Sequence, residues 1–258
     1  MTHYMKLAEK PFNAVAAGYK TIELRLNDEK RQALNVGDFI EFANVSSSCQ
    51  TVRKEIKALH RFSSFDVLYQ SLPLLACGYT PFTLVYAKAE DMNKYYTAEE
   101  QAKYGVVGIE LEAEPLQRFI AGQSGAMQDC SSYDAALAEI RAGQKQTHWI
   151  WYVFPQIKGL TTDCVTEYFA VTAQEAKAFL EHPLLGKRLI EITTALLELD
   201  AFDLVSIFSM IDAFKLRASM TLFSKISNNT EVFRQVLEKY CLGMEDISTN
   251  RIIDNSEV

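Results

Sequence analysis

The first part of the chain shows short alternations of apolar and polar residues. The pattern is clearest in the segment KTIELRL, where the apolar positions 22, 24 and 26 lie on one face and Thr21, Glu23 and Arg25 on the other. Further strands are predicted in FIEFANV, TVRKEIKALHRF and GVVGIELEAE. Short helices are predicted in PFNAVAAGYK, SSFDVLYQSL and TAEEQAKYG, each with a serine or threonine cap or a terminal glycine. Residues 1–112 are therefore predicted as a mixed α/β region rich in strands.

From residue 116 onwards the apolar spacing becomes helical almost throughout. In PLLGKRLIEITTALLEL the apolar positions 185, 189, 192, 196 and 199 are spaced by 4, 3, 4 and 3 residues, which forms one helix face. TEVFRQVLEKYCLG repeats this pattern and stops at Gly243, and SSYDAALAEIRAG predicts a third amphipathic helix. The pattern predicts two domains, residues 1–113 and an all-helical domain over 116–258, joined at AEPLQ.

Length, charge and hydropathy limit the classes of function. A chain of 258 residues favours two domains of ordinary size. The net charge of −7 argues against coating of long nucleic acids but leaves a small basic cleft open. No stretch approaches 18 apolar residues, and the N-terminal segment MTHYMKLAEKPF lacks the apolar core of a signal peptide. We therefore expect no membrane contact and a cytoplasmic location.

The cysteine pattern predicts neither disulfides nor a metal site. The five cysteines are far apart and include no C-x-x-C pair, so we interpret them as reduced thiols. His148 and His182 have no carboxylate or thiol at a spacing typical of metal ligands. The sequence predicts no metal and no cofactor.

The polar face of KTIELRL has two interpretations. Alternation by itself favours an edge strand with a solvated charged face. The alternative is a cleft, in which Lys20 beside a carboxylate holds a phosphate or positions a water, and Arg25 forks onto a phosphate or a base edge. Glu23 between these two cations is either a base toward water or a ribose hydroxyl, or a structural ion-pair partner.

Three segments of this region resemble the ASCH domain, a relative of the PUA domain. They are PFNAVAAGYKTIELRLNDEKRQALNVGDFIEF, RFSSFDVLY and EDMNKYYTAEEQAKYGVVGIELE, and the most specific part is G-x-K-T-I-E-x-R followed by V-G-D. The resemblance covers nearly all of residues 5–112 and implies a PUA-like β-barrel with flanking helices, so that the whole chain is α+β. It also implies a cleft for RNA or nucleotides. Some members are amidohydrolases that deacylate N4-acetylcytidine, and others are described as ribonucleases.

The resemblance carries over to particular residues. Lys20 corresponds to the catalytic lysine of the amidohydrolase members, whereas Glu23 stands where those members have the catalytic threonine. Thr21 corresponds to a different threonine, and the catalytic glutamate corresponds to Glu90 or Glu100. The departure at Glu23 argues against hydrolysis by that mechanism. The catalytic set implied is Lys20, Thr21, Glu23 and Glu90, and the nucleotide-binding set is Lys20, Arg25 and Asp38.

The segment HWIWYVFPQ contains both tryptophans of the chain. In a helix they lie on different sides, whereas in an extended segment they share a face and form a stacking platform. Pro155 ends any helix at or before Phe154. One interpretation is a short helix that turns one tryptophan into the core. The other is a pocket for a phosphate-bearing or nucleotide-like ligand, lined by His148, Trp149, Trp151, Gln156, His182, Arg188, Lys215 and Arg217.

The order of HW-x-WY-x-FPQ, HP-x-LG-x-RL and SMTLF resembles an all-helical bacterial domain family of unknown function, sometimes mislabelled calpastatin. The resemblance covers about residues 116–253 and implies a fold but no activity. This chain departs from the family at GLTTD and at IFSMIDAFKL, where the family usually has a glycine after the phenylalanine.

Three functional hypotheses follow. The first is a protein that binds RNA or a modified nucleoside through the N-terminal domain and an unknown ligand or partner through the helical one. The second is a hydrolase, either an N4-acetylcytidine-type amidohydrolase or a ribonuclease, which uses Lys20, Glu23 and Arg25. The third is a protein-interaction module.

Overall fold

A computed structural model describes residues 1–127, 129–201, 203–227 and 231–256. The chain divides into two compact units, Met1–Gln117 and Arg118–Val258. The first unit contains the sheet and the second is helical. Each unit is described by itself below.

The first unit is built on a sheet of five strands. These are β1 (Thr2–Leu7), β2 (Ile22–Leu26), β3 (Phe39–Asn44), β4 (Ser47–Phe62) and β5 (Val106–Leu111), in the order β1-β3-β4-β5-β2. Strand β1 is parallel to β3, and all other pairs are antiparallel. The sheet curls into a half-barrel, and Arg25 on the edge strand β2 donates from Nη2 to the carbonyl of Lys6 on the edge strand β1 at 2.9 Å. The expected PUA-like fold is confirmed.

Three of the short helices that flank the sheet lie where the sequence predicts them, and the helix Glu29–Gln32 was not predicted. Ser64 caps one helix, and Thr97 and Glu100 form a capping box at another, so both cap predictions are confirmed. Strand β1 was not predicted, because its THYMKL sequence shows little alternation and its pairing partner lies far along the chain. The helices are α1 (Glu9–Ala16), α2 (Glu29–Gln32), α3 (Phe65–Ser71) and α4 (Ala98–Tyr104), with 3-10 turns at Leu84–Tyr86 and Ala89–Lys94.

The edge strand β2 is covered on both of its faces. Glu23 pairs with Ile109 and Arg25 with Val107, so both polar side chains point to the face that carries the main apolar core. The opposite face is also covered, because Ile22, Leu24 and Leu26 are 4%, 8% and 6% exposed, and Gly108 on β5 lies against Leu72. Glu23 is 5% exposed, and the interpretation as a solvated strand face is therefore wrong.

The second unit is helical, as expected. The helix predicted in PLLGKRLIEITTALLEL ends at Leu197, so Leu199 lies beyond it, while the other four positions of the predicted face are buried. The helices predicted in SSYDAALAEIRAG and TEVFRQVLEKYCLG are also confirmed. The described helices are α5 (Gln117–Gln123), α6 (Tyr133–Arg141), α7 (Ile150–Val153), α8 (Cys164–Phe169), α9 (Ala173–Glu181), α10 (Leu185–Leu197), α11 (Leu204–Phe208), α12 (Met210–Ile226), α13 (Val232–Cys241) and α14 (Ile247–Ser256).

Candidate functional site

The polar site of the first unit begins where α1 turns into β2. Gly18 adopts a positive φ of 79° after α1, a conformation that glycine accepts without strain. The backbone N–H of Lys20 then donates to the carbonyl of Ala14, which directs the chain back toward the sheet. Lys20 is 7% exposed at this point. The turn therefore places a charged side chain inside the unit.

Lys20 uses its ammonium group to bind protein atoms. Its Nζ donates to the carbonyl of Ile22 at 3.0 Å and to the carbonyl of Cys77 at 2.5 Å, and it lies 3.3 Å from Oε2 of Glu23. An ammonium group has three N–H donors, and these three acceptors account for all of them. Lys20 therefore ties β2 to the loop that contains Cys77.

The loop around Cys77 supplies carbonyl acceptors to Lys20 and to the start of β2. The carbonyl of Ala76 accepts hydrogen bonds from the N–H groups of Thr21 and Ile22 at 2.8 and 2.9 Å. Burial raises the pKa of the Cys77 thiol, and the opposing effect of the Lys20 ammonium is smaller, so the pKa is about 11. Sequence reasoning missed this loop, for which the Cys77-Gly78 pair in ACGYT was the available signal.

Glu23 bridges Lys20 and Arg25. Its Oε1 lies 2.9 Å from Arg25 Nε, in the geometry of an ion pair rather than of an aligned hydrogen bond. Burial by itself lowers the pKa of Arg25, but the Glu23 carboxylate and the Tyr96 hydroxyl raise it above its ordinary value. Within the described residues, the Nε–H of Arg25 has no aligned acceptor. The three charged groups leave one net positive charge.

Arg25, whose side chain is 18% exposed, contacts one of two consecutive tyrosines. Tyr96, which hydrogen-bonds Arg25, stacks on Phe65 with ring centres 5.8 Å apart and planes 18° apart. Tyr95 is 64% exposed, and its ring centre lies 6.4 Å from that of Tyr96. The ammonium of Lys94 lies 5.2 Å from the centre of the Tyr95 ring. An exposed aromatic ring with a cation over it thus lies next to Tyr96, the tyrosine that contacts Arg25.

The other predicted residues of this domain lie elsewhere or have structural partners. Asp38 accepts from the Met1 amino group at 2.5 Å, from His3 at 2.9 Å and from the N–H of Asn35, and these contacts hold the pKa of Asp38 well below its ordinary value. Thr21 is half-buried beside the site, while Glu90 is exposed on the second 3-10 turn. Glu100 accepts from the backbone of Thr97 in the capping box.

In the second unit, HWIWYVFPQ forms a single helical turn, α7, followed by Pro155. Trp149 is completely buried and packs its ring against Phe154 and Phe208. Its indole Nε1 donates to Glu139 at 2.7 Å. Trp151 is half-buried and lies beside His148, with ring planes 18° apart. The segment therefore turns Trp149 into the core and Trp151 toward the surface.

Glu139 on α6 was not predicted from the sequence, although it anchors the segment before α7. It accepts hydrogen bonds from the N–H groups of Gln146 and Thr147, from the Thr147 hydroxyl and from Trp149. Burial raises the pKa of Glu139, but these donors outweigh it and lower the pKa below its ordinary value. The half-buried Glu139 carboxylate thus holds the backbone segment that precedes α7 and the ring of Trp149 in place.

A cluster of charged and aromatic side chains lies next to Trp151. Asp212 binds Lys145 at 2.7 Å through one carboxylate oxygen and Lys215 at 3.2 Å through the other. Lys145 Nζ lies 5.3 Å from the ring centre of Trp149, and Lys215 Nζ lies 4.9 Å from that of Trp151. Sequence reasoning missed Lys145 and Asp212. We call Lys145, Asp212, Lys215, Trp151 and His148 the lysine–tryptophan cluster.

The remaining residues of the predicted helical-domain pocket are dispersed. His182 accepts at Nδ1 from the N–H groups of Leu184 and Leu185, at 3.2 and 3.3 Å, and so caps the start of α10. Arg188 lies over the ring of Tyr133 and donates to Gln123, and Arg217 lies 3.6 Å from Asp246. Gln156 is 7% exposed. Of the eight predicted residues, the structure brings His148, Trp151 and Lys215 together, with Trp149 in the core behind Lys145.

The described residues contain no group of three or more histidine, cysteine, aspartate or glutamate side chains arranged to hold a metal ion. Among the helices of the same residues, none has the length and apolar character needed to cross a membrane.

Two family models match different parts of the chain. Residues 113–253 match the model of the family described as "Protein of unknown function (DUF1810)", and residues 5–115 match the model of the ASCH domain. The crystal structure of the conserved hypothetical protein Rv1873 from Mycobacterium tuberculosis is 35% identical, with 54% of this chain and 96% of that chain covered and a TM-score of 0.50. No curated protein matches.

Two further solved structures match a smaller share of the chain. The solution structure of a protein from Pyrococcus furiosus is 29% identical, covers 44% of this chain and 97% of its own, and has a TM-score of 0.34. The crystal structure of the hypothetical protein PH0355 is 29% identical, covers 44% of this chain and 100% of its own, and has a TM-score of 0.37.

Proposed function

We propose a function for this protein on the premise that it belongs to the DUF1810 family through residues 113–253 and carries an ASCH domain through residues 5–115. The ASCH domain binds RNA or a modified nucleotide at Arg25 and the adjoining tyrosines. The observation that carries this proposal is the state of the Arg25 guanidinium, which is charged, mostly buried and incompletely hydrogen-bonded.

A guanidinium group has five N–H donors in a fixed plane. In this site Nη2 of Arg25 donates to the carbonyl of Lys6, Tyr96 hydrogen-bonds the guanidinium, and Nε lies 2.9 Å from Glu23 without an aligned hydrogen bond, so the five donors outnumber the acceptors present. Unmatched donors in a largely buried group lose free energy unless an acceptor arrives. A phosphate oxygen or the acceptor edge of a base supplies that acceptor in the bidentate geometry that arginine favours.

Tyr95 supports a ligand that contains a base. Exposed aromatic rings next to a cation are the usual means by which proteins hold unpaired bases, because every base has a face that stacks. Tyr95 is 64% exposed and is adjacent in sequence to Tyr96, which contacts Arg25. The overall charge of −7 against one local positive charge favours a nucleotide or a short single strand over a long duplex.

Lys20 organises the site rather than contacting the ligand. Its three donors are occupied by Ile22, Cys77 and Glu23. A catalytic role would require Lys20 to leave two backbone carbonyls in a buried setting. The geometry therefore favours binding over hydrolysis.

Fluorescence anisotropy with labelled oligoribonucleotides tests the binding proposal, with Arg25→Gln compared against Arg53→Gln. Both substitutions remove one arginine charge from the same domain, and Arg53 lies over the ring of Phe39 on the β3–β4 pair. We expect Arg25→Gln to weaken binding by about ten-fold or more and to reduce the salt dependence by about one counterion. Equal losses in the two variants, or no binding by the unaltered protein to RNA or nucleosides, would contradict the proposal.

The stacking component has its own test. Tyr95→Ala is expected to weaken binding about five-fold or more, since loss of a stacked base costs roughly 1–3 kcal/mol. Tyr4→Ala is the matched control, because Tyr4 is 77% exposed on β1. A loss in Tyr4→Ala as large as that in Tyr95→Ala would remove the support for stacking at this position.

Turnover of N4-acetylcytidine, followed by chromatography, separates binding from the hydrolase alternative. We expect no deacetylated product from the unaltered protein. Product that appears with the unaltered protein and disappears in Lys20→Met would instead assign hydrolysis to this site.

A further inference from the structure

The lysine–tryptophan cluster of the helical unit carries an excess of positive charge. Lys145, Lys215 and Asp212 are 7%, 19% and 14% exposed at their side chains. The two ammonium groups share the single Asp212 carboxylate, so the triad retains one net positive charge. Charges held away from water are unfavourable without a compensating partner. Asp212 thus leaves one positive charge of the triad without an offset, and the neighbouring Glu139 carboxylate is hydrogen-bonded to Gln146, Thr147 and Trp149 instead.

The same place also lacks a hydrogen-bond acceptor. The indole Nε1 of Trp151 is buried from solvent, and within the described residues it has no hydrogen-bond partner. Trp149, two residues earlier, has its indole N–H matched by Glu139. A buried donor without an acceptor costs roughly 1–3 kcal/mol. Lys215 Nζ lies 4.9 Å from the centre of the Trp151 ring, so the excess positive charge and the unmatched indole donor lie on neighbouring side chains.

We propose that the lysine–tryptophan cluster is a binding site for a phosphate group, either as the free anion or on a nucleotide. A phosphate oxygen accepts from Lys145 and Lys215 and supplies the negative charge that the triad lacks. A second oxygen accepts from the indole N–H of Trp151. The exposed His148 ring lies beside Trp151, with ring centres 6.4 Å apart and planes 18° apart.

A phosphate fits the donor arrangement better than a carboxylate does. The donors come from three separate elements: the segment before α7, the α7 turn itself, and α12. Phosphate presents oxygens in several directions, whereas a carboxylate presents two in one plane. Lysine also binds phosphate as a point charge, without the fork geometry of arginine.

The test is calorimetric titration of the full chain with inorganic phosphate, adenosine monophosphate and acetate at constant ionic strength, since surface charge effects depend on salt. Tryptophan fluorescence is recorded in parallel, because both tryptophans of the chain lie in this unit. We expect phosphate to bind and to change the emission, and acetate to bind more weakly. No heat and no change in emission with phosphate or adenosine monophosphate would overturn the proposal.

Two variants of α12 form the matched pair. Lys215→Met keeps the aliphatic stem and removes the charge at the site, and we expect it to lower the affinity for phosphate by about ten-fold or more. Lys225→Met removes the same charge from the same helix, where Lys225 pairs with Glu245 and is 45% exposed. We expect the affinity of Lys225→Met to equal that of the unaltered protein. Equal losses in both variants would overturn the proposal, because they would indicate unspecific attraction.

Two further arms identify the donor and the form of the ligand. Trp151→Phe keeps the ring but removes the N–H, and we expect it to weaken phosphate binding; unchanged affinity would overturn the role of the indole donor. Tighter binding of adenosine monophosphate than of phosphate, lost in His148→Ala, would assign a nucleotide; equal binding of the two would assign the phosphate group alone. Arg25→Gln should leave the tryptophan signal intact, which separates this site from the ASCH domain.

Discussion

The backbone of Gly78 lies directly against the side chain of Lys20. A methyl group placed on Gly78 would meet Cδ of Lys20 at 3.0 Å, next to the hydrogen bond from Lys20 to the carbonyl of Cys77. Gly78 also has a φ of 102°, which residues with a side chain rarely adopt. The positive φ and the close contact with Lys20 therefore both favour glycine at position 78.

Gly78→Ala is expected to lower the free energy of unfolding more than Gly37→Ala does. Gly37 has a similar φ of 87° with no atom within 4 Å of the added methyl group, so it measures the backbone strain alone, about 1–2 kcal/mol. The additional loss of unfolding free energy in Gly78→Ala measures the cost of displacing the Lys20 side chain. Urea unfolding of both variants gives the comparison. Equal losses would mean that Lys20 shifts without cost.

Glu23→Gln is expected to destabilise the protein by about 3–5 kcal/mol, because it leaves the buried Lys20 without its counter-charge. Glu55→Gln is the control, since Glu55 pairs with Lys57, whose side chain is 45% exposed, and surface pairs contribute little. Thermal and urea unfolding measure both variants. If Glu23→Gln proves as mild as Glu55→Gln, the bridge between Lys20 and Arg25 is not a stabilising element.

Ser209→Gly is expected to stabilise the protein by about 1 kcal/mol. Ser209 joins α11 to α12 at φ 74° and ψ 162°, a region of backbone space that belongs almost entirely to glycine. The resemblance noted in the sequence predicts a glycine at this position in the related family, so the serine in IFSMIDAFKL is expected to cost stability. Ser206→Gly, within α11, should instead destabilise. If Ser209→Gly lowers the stability, the backbone at Ser209 is not strained.

Protein stability is expected to fall as the pH rises from about 9 to about 11. Burial raises the pKa of Cys77 from 9.0 to about 11, so the folded state keeps its proton after the unfolded state has lost it. A raised pKa stabilises the fold fully below pH 9, and that contribution is lost as the pH approaches 11. Urea unfolding at several pH values measures the slope.

Cys77→Ala should reduce this slope, whereas Cys164→Ala, at an exposed cysteine, should leave it unchanged. Thiol labelling of the folded protein adds an independent check. Cys49 and Cys164 are exposed and should react, while Cys77 is buried and should react only as the protein opens. An unchanged slope in Cys77→Ala, or rapid labelling of Cys77, would show that its thiol is not held protonated by burial.

The elements that could be predicted are those whose cause is local. The capping box of Thr97 and Glu100 and the apolar face of α10 depend on residues three or four positions apart, and both are found. The alternation in KTIELRL likewise predicted which side chains share a face. It did not predict that both faces are buried, because that depends on Leu72 and on the core around Val107, which come from other parts of the chain.

The amino-acid sequence by itself determined the α+β class, the change to helical spacing near residue 116 and most strands and helices, since these follow from hydrophobic period and caps. Only the tertiary structure decided which charged groups meet. Lys20 reaches the carbonyl of Cys77, 57 residues away, and Asp212 joins Lys145 to Lys215. Such contacts arise because folding brings distant segments together, where a charge removed from water is costly without a partner. Sequence spacing carries no record of those distances.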